Sequence, residues 1–253
     1  MPQEPKDLAS KVANVTLAFW IMKICATTAG ETGGDLLSMT LNVGYLVSTL
    51  ILVGFFLVVL VFQLRARRFH PVLYWAVILA TSTAGTTMSD YMDRTLGLGY
   101  AAGATILVSL LVAVLAVWRF TLGSIAVDHI RDPKAEAFYW AAILVSNTLG
   151  TALGDYLADS SGLGYGLSNL LIAGGIALTL IGWRFTTLSR TVLFWIAFVL
   201  TRPFGATMGD LLTKAPEKGG LGIGTLGSTL VLLAILVGVL IFSTRRERKL
   251  AAI

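Results

Sequence analysis

Four aspartates recur at one interval. Asp35, Asp90, Asp155 and Asp210 each stand five residues after a glycine (Gly30, Gly85, Gly150, Gly205) and fifteen after a tryptophan (Trp20, Trp75, Trp140, Trp195). Eight positions past each tryptophan come Thr28, Thr83, Thr148 and Pro203, and eleven past come Glu31, Thr86, Thr151 and Ala206. Steps of three and four residues put positions eight, eleven and fifteen on one face of an unbroken helix. Position seven adds Thr27, Ser82, Asn147 and Arg202. Carboxylates and hydroxyls are hard oxygen ligands, suited to Mn²⁺, Mg²⁺ or Ca²⁺ and poorly suited to Cu⁺ or Zn²⁺. Crowded buried carboxylates also take up protons readily. The expected substrate-binding set is therefore Asp35, Asp90, Asp155, Asp210, Glu31, Thr28, Thr86, Thr151 and Asn147. The four aspartates and Glu31 are the expected metal ligands.

Two residues break the repetition. Glu31 occurs in the first repeat alone, and Arg202 in the fourth alone, beside helix-kinking Pro203. An ion pair between them would reduce both desolvation costs, and it reads as a gate or as a static strut. Lys23, three residues past Trp20, is expected to snorkel to the nearer membrane face. On this count five deep carboxylates oppose two deep cations, and a dication or several protons would relieve the excess.

The elements that must hold these residues follow from composition. Of 253 residues, 56% are hydrophobic and 13% charged, about half the charged share of a soluble domain. Mean hydropathy is +0.80. Apolar runs of about twenty residues, enough to span the hydrocarbon core as a helix, recur along the chain. A soluble enzyme, a disordered chain and a disulfide scaffold are excluded. The single Cys25 allows no internal disulfide, and two histidines offer little to a zinc site. The start, MPQEPKDLASK, does not read as a cleavable signal peptide.

A second glycine in each repeat (Gly44, Gly99, Gly164, Gly224) opens another apolar run that ends in arginine, at Arg65, Arg119, Arg184 and Arg245. The expected fold is an all-α polytopic membrane protein of eight transmembrane helices, arranged as four tandem helical hairpins with pseudo-symmetry. It forms one domain over 1–253, with repeats at about 12–66, 67–121, 132–186 and 187–247 and a linker at 122–136. Each repeat crosses twice, so the repeats run parallel rather than inverted. Twofold and fourfold arrangements both remain open.

Fourteen of the nineteen basic residues lie in the termini and inter-repeat loops, against three in the opposite loops. The positive-inside rule then makes both termini cytoplasmic. The +5 charge reflects topology and calls for no nucleic-acid partner. All six tryptophans fall near the cytoplasmic ends of spans and read as an interface belt. From that belt, an aspartate fifteen residues on lies roughly 22 Å along the helix, in the outer third of the membrane. Small and hydroxyl residues also serve close helix packing, and an aspartate near a helix end can cap the next turn. Ser48, Thr49, Ser168, Asn169, Ser228 and Thr229 stand opposite on the second helices.

The pattern W-x9-G-x4-D followed by a glycine-opened span, four times over, resembles the bacterial family built from repeat of unknown function 347. The resemblance covers roughly residues 12 to 247. It implies a multi-pass protein of the bacterial inner membrane, with two spans and a tryptophan per repeat, and transfers no activity.

The residues favour a transporter for a hard divalent cation, manganese first, coupled to protons. A proton-coupled carrier of a small organic cation or polar solute is the second reading, and a non-transporting structural or sensing protein the third. GIGTLG at 222–227 fits a dinucleotide pattern by letters, but it opens a transmembrane helix, and no enzyme motif is found. The expected partners are the lipid bilayer and a small cation or polar solute. No cofactor is required beyond a bound Mn²⁺ or Mg²⁺, and a homo-oligomer is open.

Overall fold

The computed structural model describes residues 11–127, 130 and 132–250, with side chains as far as Arg246. The first ten residues and three linker positions (Asp128, His129, Arg131) lie outside that set. Eight long helices follow in order: α1 Leu17–Asp35, α2 Tyr45–Arg65, α3 Pro71–Asp90, α4 Tyr100–Leu122, α5 Pro133–Asp155, α6 Gly164–Phe185, α7 Arg190–Thr213 and α8 Thr225–Leu250. Local chemistry sets their starts. Thr16 Oγ1 accepts from the Phe19 amide, and Asp132 Oδ1 from the Lys134 amide. Pro71 and Pro133 occupy first-turn positions, where a missing N–H costs nothing.

The odd-numbered helices form a closed inner ring: α1 packs on α3, α3 on α5, α5 on α7, and α7 back on α1. The even-numbered helices stand outside. Each packs on the first helix of the following repeat, α2 on α3, α4 on α5 and α6 on α7, and α8 closes the circle on α1. The two helices of each expected hairpin therefore pack mainly on neighbouring repeats, and α7 touches its own partner α8 only lightly. The ring is fourfold in its backbone, which decides between the two symmetries at this level.

The two rings divide the polarity. Outer helices expose Leu50, Phe55, Val112, Leu170, Leu178 and Val231, a surface suited to lipid and not to water. By length and composition five helices qualify as membrane spans: α2, α4, α6, α7 and α8. The remaining three inner helices are 19–23 residues long. They carry polar residues toward the ring's interior, so composition alone understates them. The protein is an all-α polytopic membrane fold of four repeats.

Between the inner and outer helix of each repeat the chain reverses tightly. Three inner helices end in a single wide turn after the aspartate, at Leu36–Thr40, Tyr91–Thr95 and Tyr156–Ser160, where hydrogen bonds reach five residues back. Such turns occur frequently at functional sites. The outer helices then start from Gly44, Gly99, Gly164 and Gly224, all with φ between 72° and 88°. Only glycine adopts that region without strain, which explains its fourfold recurrence.

Candidate functional site

Ring closure begins at the repeated glycine. A Cβ on Gly30 would collide with Ser82, on Gly85 with the Asn147 backbone, on Gly150 with Arg202, and on Gly205 with Thr27. Each glycine thus receives position seven of the next repeat. One turn on, Gly34, Gly154 and Gly209 meet Thr86, Ala206 and Glu31, which are position eleven of the next repeat. The motif is small-x3-small in every repeat, with Ser89 as the one non-glycine member, and its first glycine makes the contact four times around a circle. The spacing was visible in the sequence, and it is the signal that would have identified the ring.

Close approach aligns positions three, seven, eleven and fifteen along the axis in four-residue steps. Lys23, Asn147 and Thr81 form the layer nearest the tryptophans. Lys23 Nζ donates to Asn147 Oδ1 at 3.4 Å and lies 4.1 Å from the centre of the Phe198 ring, and Asn147 donates to Thr81 at 2.9 Å. Lys23 is 0% exposed, so it does not snorkel. Its stem points into the ring, where water and headgroups are out of reach.

The middle layer holds the expected ion pair. Arg202 Nη1 donates to Glu31 Oε2 at 2.9 Å, and Nη2 donates to Thr86 at 2.5 Å and Thr151 at 2.7 Å. Both threonines donate in turn to Glu31 Oε2, at 3.2 and 3.1 Å. Three helices thereby converge on the Arg202 guanidinium, which fills the axis. Carbonyl oxygens of Thr27 and Ser82 accept from Nη1 and Nη2 as well, at 3.4 and 3.3 Å, while Nε makes no hydrogen bond. The positive and negative charges are matched and hydrogen-bonded, the condition under which such burial is tolerated.

The four aspartates form the third layer, but not one fivefold ligand group with Glu31. Arg94 bridges Asp90 at 3.0 Å and Asp155 at 3.1 Å, and Lys214 bridges Asp35 at 2.7 Å and Asp210 at 3.0 Å. Each cation sits four residues after its own repeat's aspartate and reaches the next repeat's. Burial works against the charge on Lys214, beyond the end of α7, but Asp210 and Asp35 outweigh it and raise its pKa. The loop cations were counted outside the membrane on sequence grounds. Their i, i+4 spacing from an aspartate was the missed signal. They reduce the excess of deep carboxylate charge to one, and they impose a twofold pattern on the fourfold ring.

Among the described residues, Glu31, Asp35 and Asp210 form the one group that brings three carboxylate oxygens together, all within 4.8 Å of one another. Asp90 and Asp155 are drawn instead to Arg94, whose Nη1 also donates to the Tyr45 hydroxyl at 3.1 Å. Thr28 leaves the expected set as well. Its hydroxyl donates back to the Ile24 carbonyl at 2.9 Å within its own helix. Position eight is one residue off the axial stripe. The second-helix polar residues join the rings: Asn169 donates to Thr207 and the Phe204 carbonyl, and Thr229 to Thr32.

The tryptophans also differ from a belt. Trp75, Trp140, Trp195 and Trp118 are buried, and only Trp183 is largely exposed. With Phe19, Tyr74, Tyr139 and Phe198 they make an interlocked aromatic layer across one end of the inner ring, tied by a Tyr74–Tyr139 hydroxyl contact of 2.5 Å. Depth from a membrane face is the same for a lipid-facing and an inward-facing ring, so spacing could not separate them.

No curated protein and no solved structure matches the chain. The repeat does find a match: the family described as Repeat of Unknown Function (DUF347) aligns with residues 18–69, 73–123, 138–189 and 193–249, most of the length, and the chain belongs to that family.

Proposed function

We propose that this protein transports a hard divalent cation, manganese or magnesium, through the axis of the inner ring. The observation that carries the reading is the Glu31–Asp35–Asp210 group, three buried carboxylates within mutual reach of one ion. Lys214, on Asp35 and Asp210, and Arg202, on Glu31, offset two of its three charges in the present state. A dication entering from the turn side displaces that ammonium and meets three oxygens. The Arg202–Glu31 layer and the aromatic layer close the path beyond, so this is a state occluded toward the chain termini. Proton uptake by the vacated aspartates supplies the coupling ion. The proposed setting is the bacterial inner membrane, and the distribution of basic loops supports cytoplasmic termini.

Purified protein in liposomes should take up Mn²⁺, and Asp35→Asn or Asp210→Asn should reduce uptake at least tenfold. Uptake unchanged in both variants would return the aspartates to a packing role. A second reading, an organic cation carrier, has its own observation: the aspartate pairs already hold an ammonium and a guanidinium. Inhibition of Mn²⁺ uptake by small amines, together with amine flux of its own, would favour it.

A further inference from the structure

Trp118 and Trp183 occupy the same place in repeats two and three, near the end of an outer helix, and they behave oppositely. Trp118 is 1% exposed, stacked on Phe138 at 6.3 Å and edge-on to Trp195 at 5.9 Å. Trp183 is 54% exposed. The repeat relation assigns it an equivalent seat. The counterpart of Phe138 is Leu193, and the counterpart of Trp195 is Trp20 one step around the ring. Both residues, with Trp183 itself, line a cavity of about 450 Å³ between α1, α6 and α7. The ring therefore keeps one seat filled and its equivalent open.

The rim of the open seat is basic. Arg190 lines it, donates to the Trp183 carbonyl and lies 4.9 Å from the Trp183 ring, which holds that ring outside. The first turn of α7 stands at the same rim through Arg190 and Thr191. Among the inner helices its start alone lacks a side-chain cap: Thr16, His70 and Asp132 cap α1, α3 and α5, and Ser189 makes no such bond. Free amides at the start of a 24-residue helix beside an arginine suit an anionic oxygen group. The depth is that of the membrane surface, at the helix ends.

We infer that this seat binds an anionic phospholipid, its phosphate held by Arg190 and the α7 amides and one acyl chain lying in the apolar cavity against Trp20 and Leu193. The lipid takes the part in this junction that Trp118 plays in the other. The shorter connection from α6 to α7 explains the asymmetry, because residues of the longer linker after α4, Ile125 among them, help enclose Trp118's neighbour Trp195 by accepting from its Nε1.

The test uses the full-length protein, delipidated in detergent and titrated with phosphatidylglycerol or phosphatidylcholine carrying brominated chains, with tryptophan fluorescence as the readout. Brominated phosphatidylglycerol should quench at about tenfold lower concentration than phosphatidylcholine, the size expected for a charge-assisted contact. Arg190→Ala should remove that difference. Ala197→Phe, which fills the cavity, should abolish saturable quenching by both lipids. Leu193→Phe, which copies Phe138 of the filled seat, is the second filling variant and guards against misfolding of the first. Equal quenching by the two lipids in the unaltered protein, or saturable quenching that survives in a folded filling variant, overturns the assignment. So does a fluorescence change without quenching, which would mean that Trp183 itself swings into the seat.

Discussion

Arg202 carries charge to the centre of the bundle, and the centre is built to receive it. Arg202→Met leaves Glu31 buried and unpaired, so it should cost about 3–5 kcal/mol of stability. Adding Glu31→Gln removes the orphaned charge, and the double variant should recover most of that loss, measured as denaturation in detergent. Equal loss in the single and double variants would mean that the pair does not act as a unit. This pair was legible in the sequence because its members are the two charges that break the repetition near mid-membrane. Lys214 and Arg94 were not, because a count of basic residues by loop does not show that a side chain turns back onto the aspartate four residues before it. Thr28 misled for a different reason. Positions eight, eleven and fifteen do share a face of an isolated helix, but the glycine contacts rotate each helix so that seven, not eight, meets its neighbour.

At the level of elements the controlling contact is between backbones. A methyl on Gly85 would lie 2.9 Å from the Asn147 carbonyl carbon and the Thr148 nitrogen, atoms that cannot move without shifting α5. Gly85→Ala should therefore destabilise by about 1–3 kcal/mol. Gly54, on the lipid side of α2, has nothing within 4 Å, so Gly54→Ala should be neutral or stabilising by about 0.5–1 kcal/mol through helix propensity. Thermal unfolding of the two variants in one detergent compares them directly, and equal shifts would refute the close-approach argument. The eight helices and their turns were legible because apolar runs, glycine and arginine punctuate them. Which helices face lipid was not, since inner and outer helices differ in polarity by only a few residues per repeat. The tryptophan layer shows the same limit, a common place along the helices with the wrong facing.

Across the whole molecule, the swapped packing of outer helices decides how the two halves depend on each other. The first half contains α1 to α4 and the second α5 to α8. Within each half one outer helix is satisfied, α2 on α3 and α6 on α7. The other crosses over, α4 onto α5 and α8 onto α1. The ring contacts α3–α5 and α7–α1 also cross, as do the Arg202–Glu31, Arg94–Asp155 and Lys214–Asp35 pairs. A half alone therefore exposes the face that its partner's outer helix should cover, along with unpaired charges at membrane depth, which are expensive in lipid. The two halves, cut in the linker between α4 and α5 and produced together, should reassemble, because the inner-ring and outer-helix contacts that cross between them do not depend on chain continuity. Affinity purification through a tag on one half should recover both in equal amounts, and either half made alone should aggregate. Two halves that purify separately as well-behaved species would contradict the closed ring and favour two independent hairpin pairs.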